Sequence, residues 1–127
     1  MALGLTLALA FMVQAPVNAV PSVGTTADVG LADLAAGRDR AALDAIENCE
    51  VLAADDPARL INRGIALARL GRYDEARADF EAAAAARESV ELETAAGDWV
   101  DSRRLARRAI AMLEKGEFAR YYALSLR

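Results

Sequence analysis

Gly64 is the residue that most narrows what this chain can fold into. It lies inside an amphipathic stretch in which Leu60, Gly64, Leu67 and Ala68 recur at the spacing of one helix face. A glycine in a helix interior costs about 1 kcal/mol relative to alanine. Its presence therefore predicts a compensating close approach by a second helix. That second helix is visible at once: Tyr73, Ala76, Phe80 and Ala83 repeat three, four and three residues apart. Ala76 is small enough to admit close packing, and Tyr73 and Phe80 are bulky enough to fill the flanks of the seam. The opposite face of the second helix carries Arg72, Glu75, Arg77, Asp79 and Glu81.

The punctuation agrees with two helices and a tight turn. Asp55, Asp56 and Pro57 open the first helix, because an aspartate caps free N–H groups and proline suits the first turn. Gly71 follows Leu70 and ends it, being able to take the left-handed C-terminal conformation cheaply.

The stretch 57–86 resembles a tetratricopeptide repeat (TPR). Gly64, Gly71, Tyr73, Ala76, Phe80 and Ala83 stand in order at the positions that define that repeat. Three positions depart from it: Leu60 where tryptophan is frequent, Arg63 where a large apolar residue is usual, and no closing proline near Glu88. The resemblance implies an all-α fold, a short right-handed stack of antiparallel helical hairpins. It also implies a protein-interaction role, because first helices of such repeats line a concave groove. Here Ile61, Ile65 and Ala68, with Arg69 at the edge, are the residues expected to face it. Ile61 and Ile65 stand where carboxylate-gripping members carry polar side chains, so an apolar groove taking a helix or an extended apolar segment fits better. The competing occupant is the chain's own tail, through Phe118 or Tyr122.

Partial repeats flank the main one. The stretch 28–54 reads as a degraded repeat. It has a short helix with Leu31, Leu34 and Ala35 inward, Gly37 at the turn, and a helix from Asp39 to Ala53 with Ala42, Leu43, Ile46, Cys49 and Leu52 or Ala53 inward. Arg87 to Ala96 either extends the preceding helix or begins a loop, broken at Gly97 and Asp98. Asp101 and Ser102 cap a helix from Arg103 to Lys115, ended by Gly116; stretch 101–116 is expected to cap the stack. Trp99 is expected to plug that end as core, with a partner contact as the alternative. The same helix carries Arg103, Arg104, Arg107 and Arg108, a possible secondary surface for an acidic partner or an anionic lipid surface. The plainer reading is a solvated face meeting Glu88, Glu91 and Glu93. The helical domain thus spans 28–116, with an aromatic tail at 117–127.

Composition sets the remaining bounds. A length of 127 residues suits one small domain. The formal net charge of −4 argues against a nucleic-acid binder, which needs a dominant basic surface. Lys115 is the single lysine among many arginines; with the alanine excess this is the usage of a high-GC bacterial genome. Met1 to Val13 is apolar except for Thr6, and Pro16 and the small-x-small run Val17-Asn18-Ala19 follow. That is the pattern of a secretory signal, 1–19, cleaved after Ala19, with a mobile linker at 20–27. It predicts export to the periplasm and no stable membrane span after cleavage. The missing basic n-region is the one feature out of keeping.

There is no histidine, and Cys49 is the only cysteine. Imidazole bases, Cys–His nucleophiles and ordinary zinc sites are thereby excluded, and no disulfide framework forms within the chain. No phosphate-cradling glycine loop or nucleophile elbow occurs. The expectation is no catalysis, no cofactor and no metal. The expected partner is another protein or peptide. One good repeat where about three are normally needed also leaves room for a homo-oligomer, a self-assembling structural protein whose groove is covered by its own tail or by another copy.

Overall fold

The computed structural model describes residues 30–94 and 96–119. The expected signal, the linker and Tyr122 lie outside them.

The described residues include the helices α1 (Leu31–Ala35), α2 (Asp39–Glu47), α3 (Pro57–Arg69), α4 (Tyr73–Ala84) and α5 (Ser102–Glu114), and a two-stranded ribbon of β1 (Glu91–Glu93) and β2 (Trp99–Asp101). The fold is the all-α stack of helical hairpins expected from the sequence. α3 packs on α2 on one side and on α4 on the other, and α5 packs on α4.

Local chemistry explains the helix ends. The Asp56 carboxylate accepts from the N–H groups of Ala58 at 2.9 Å and Arg59 at 3.2 Å. That satisfies two donors that a bare helix start leaves open. At the other end of α3, Gly71 takes φ 79°. Its N–H donates to Ala68 O at 3.1 Å, and Arg72 N–H donates to Leu67 O at 2.9 Å. This paired capping closes the helix and turns the chain into α4. Gly37 repeats the geometry: its N–H reaches Leu34 O and that of Arg38 reaches Asp33 O.

The helix–glycine–helix geometry therefore occurs twice in the described residues and is begun a third time. Gly37 and Gly71 are one 34-residue period apart. Gly30 stands toward Ile46 as Gly64 stands toward Phe80, each member displaced by one period. One more period from Gly71 reaches Leu105, but the next turn glycine is Gly116, φ 68°. The delay corresponds to the β1–β2 ribbon inserted ahead of α5. After Gly116 the chain re-enters helix at 117–119. Phe118, two residues past its turn glycine as Tyr73 is past Gly71, is fully buried and stacks on Phe80 with ring centroids 6.2 Å apart.

Four expectations are corrected. The helix from Asp39 stops at Glu47 and not Ala53, because Asn48 turns its side-chain amide back onto Asp44 O. Cys49 consequently lies beyond the helix and is half-buried. The segment 87–96 neither continues α4 nor stays a loop: it supplies β1, paired antiparallel with β2 in the register Glu91 to Asp101, Leu92 to Val100 and Glu93 to Trp99. Trp99 is 65 % exposed and is not core. Strand alternation turns Leu92 into the core and leaves Glu93 and Trp99 on the outer face.

Candidate interaction surface

The concave row comes first. Ile61, Ile65 and Ala68 are 2 %, 1 % and 0 % exposed. They belong to the main core cluster together with Leu34, Ala42 and Leu43 of the first hairpin. Arg69, next on the row, is committed as well: Nη1 donates to Leu34 O at 2.8 Å and to Asp39 Oδ1 at 3.3 Å. Burial raises the Asp39 carboxyl above its ordinary range, and Arg69 offsets that rise in part. Arg59 adds bonds to Leu52 O at 2.8 Å and Glu47 O at 3.3 Å. The row expected to take a partner is thus core in this structure. The sequence pattern identified an apolar face; it did not say that the chain's own first hairpin would be seated against α3.

The second correction concerns Asp79, grouped by the sequence with a solvated face. Its carboxylate is buried, and Arg63 forks onto it with Nε at 2.8 Å and Nη2 at 2.9 Å. Arg63 is itself a departure from the repeat pattern, and Asp79 explains it, the two making one ion pair across the α3–α4 seam. Arg63 retains 38 % side-chain exposure against 6 % for Asp79. Desolvation therefore falls on the carboxyl and holds its pKa above the usual carboxylate range despite the fork. An arginine at an apolar position, one helix away from an aspartate, was the signal available in the sequence.

Val51, 80 % exposed, and Trp99 are the most exposed large apolar residues among those described, and the ribbon that carries Trp99 forms one outward surface with α5. Trp99 lies directly across from Glu93, and Glu91 faces Asp101. Like charges placed opposite each other do not favour a ribbon. Ser102 fastens the ribbon to the stack: its N–H donates to Val90 O at 2.9 Å, and its hydroxyl accepts from Val90 N–H at 3.1 Å. Asp101 accepts from Arg104 N–H at 3.1 Å as the cap of α5. Its carboxyl is held below the ordinary range, first by the Ser89 hydroxyl and also by the helix start.

On α5, Arg104, Arg107 and Arg108 are exposed and Arg103 is half-buried. The anticipated pairing with Glu88, Glu91 and Glu93 does not occur; among the described residues no ion pair involves any of the four arginines. Their placement is unfavourable for an isolated helix. Arg104 repels Arg107 and Arg108 at three and four residues, each by roughly 0.2–0.5 kcal/mol. Cations near a helix start also oppose its dipole. Among the described residues there is no cluster of three side chains able to hold a metal ion, and no helix is long and apolar enough to cross a membrane.

Comparison with known families matches the tetratricopeptide repeat over residues 57–89. The chain therefore contains a TPR, covering α3, α4 and the residues that lead into the ribbon. Neither curated proteins nor solved structures give a match.

Proposed function

We propose that this chain is a non-catalytic protein-interaction module, a small bacterial TPR scaffold. It acts in the periplasm and holds a polypeptide on the exterior of its third hairpin. The observation that carries the reading is the combination of a TPR with a concave row already filled by the chain's own first hairpin. A module of this class works by contact, and the ribbon and the outer face of α5 offer an exposed tryptophan beside charged side chains that no ion pair among the described residues holds. An exposed tryptophan is the residue type most often found at the energetic centre of protein interfaces. The apolar stretch Met1 to Val13, followed by Val17-Asn18-Ala19, supports export with cleavage after Ala19. A groove-bound partner would require the α1–α2 hairpin to lift away, exposing Leu34, Leu43 and the isoleucines to water.

The test is site-specific photo-crosslinking in expressing cells, with the probe at position 99, 107 or 44 in separate chains. Adducts with another polypeptide at 99 and 107, and none at 44 on α2, are expected. Adducts at 44 alone, or at no position, would overturn the proposed surface. The amino terminus of the chain recovered from the periplasmic fraction tests export: Val20 is expected, and a chain retained in the cytoplasm with Met1 in place would contradict it.

A further inference from the structure

The ribbon and α5 carry two uncovered patches of opposite sign that follow one another along the chain. Glu91, Glu93 and Asp98 are exposed around Trp99, and Arg104, Arg107 and Arg108 are exposed on the outer face of α5. No ion pair among the described residues holds any of these six charges.

We propose that the occupant of this surface is a second copy of the chain, the acidic ribbon of one molecule docking on the arginine row of the other. The complementarity carries the argument. A foreign polypeptide would have to present both an acidic and a basic segment at the right offset, whereas a second copy has both by construction. A reciprocal, two-fold exchange neutralises both patches at once. In it, Trp99 offers its ring face to a guanidinium of the partner copy, a pairing that arginine favours. A flat anionic membrane fits worse, because it would meet Glu91, Glu93 and Asp98 as well as the arginines. One thirteen-residue helix and a short ribbon make a small contact. The dimer is therefore weak and salt-sensitive, at the low end of specific interfaces. This inference rests on the proposed location of the contact surface. It fails separately from that reading: self-association is measured on the chain alone, and capture of another polypeptide at positions 99 and 107 would survive its failure.

The experiment is sedimentation equilibrium of the full chain at low and high salt. Four forms are compared: unaltered, Arg104→Glu with Arg107→Glu, Glu91→Arg with Glu93→Arg, and Trp99→Ala. All five altered positions are exposed, and circular dichroism checks that the forms melt alike. The unaltered chain is expected to dimerise at low salt, with the dissociation constant rising at least about tenfold in ~0.5 M salt as screening shortens. Each charge-reversed form is expected to be monomeric, and an equimolar mixture of the two to recover a heterodimer. Trp99→Ala is expected to weaken the dimer without abolishing the salt dependence. A chain that stays monomeric throughout overturns the proposal. So does association that is indifferent to salt and to both reversals.

Discussion

A methyl group added at Gly64 would lie 2.4 Å from Cε1 and 2.8 Å from Cδ1 of the Phe80 ring. The ring presses on the helix backbone itself, so the close approach inferred from the sequence is made by Phe80 rather than across Ala76. Gly64→Ala gains up to about 1 kcal/mol of helix propensity but forces a buried ring out of place, a strain of about 1–3 kcal/mol. Net destabilisation in urea unfolding is expected, with part of it recovered when Phe80→Leu is added; a stabilised single variant would contradict the packing. Asp79 makes a second prediction at this scale. Its folded carboxyl sits above the ordinary range because burial outweighs Arg63. The native state therefore binds that proton more tightly than the unfolded chain does. The chain is expected to gain stability relative to Asp79→Asn as pH falls from about 6 to about 4. Stability lost over that window, relative to the variant, would mean the fork dominates. Glu75 and Asp101, whose pKa values are lowered, act in the opposite sense, so the comparison must be made against the variant and not read from the total curve.

Between elements, the contact to probe is Arg69 spanning α3, Leu34 O and Asp39. Arg69→Ala removes the bond from α3 to the end of α1 while leaving the α3–α4 seam intact. Amide exchange across 31–47 is expected to accelerate by tenfold or more, with 73–84 unchanged. Uniform acceleration would mean that the hairpins open as one unit. This is also the scale at which the sequence was legible and then ceased to be. Asp56-Pro57, Gly71 and the Tyr73 to Ala83 spacing located α3 and α4 because caps, turns and helical period are local properties. The ribbon was not legible: Glu-Leu-Glu is too short to establish an alternation, and its strand character comes from pairing with residues 99–101. Trp99 was misplaced for the same reason, since a large ring favours burial only if the backbone turns it inward. Nor could periodicity tell an apolar groove from an apolar interface with a neighbouring hairpin; both show the stripe that Ile61 and Ile65 make.

For the whole molecule, the period carries the account. Two turns a repeat apart and a third delayed by the ribbon make a hairpin stack. The ribbon's insertion point is where the stack departs from uniform repetition and where its uncovered charge and tryptophan gather. If that is the design, the row that other stacks leave open is here structural, and contact belongs to the outside. Thermal unfolding of Ile65→Asp tests this most directly. An aspartate in place of a side chain that is 1 % exposed has no partner there and costs at least about 3 kcal/mol. A melting temperature lowered by ten degrees or more, or loss of the cooperative transition, is the expected result. A variant that melts with the unaltered chain would show Ile65 to be free in solution, and the concave row, rather than the ribbon and α5, would then be the surface to which a partner is bound.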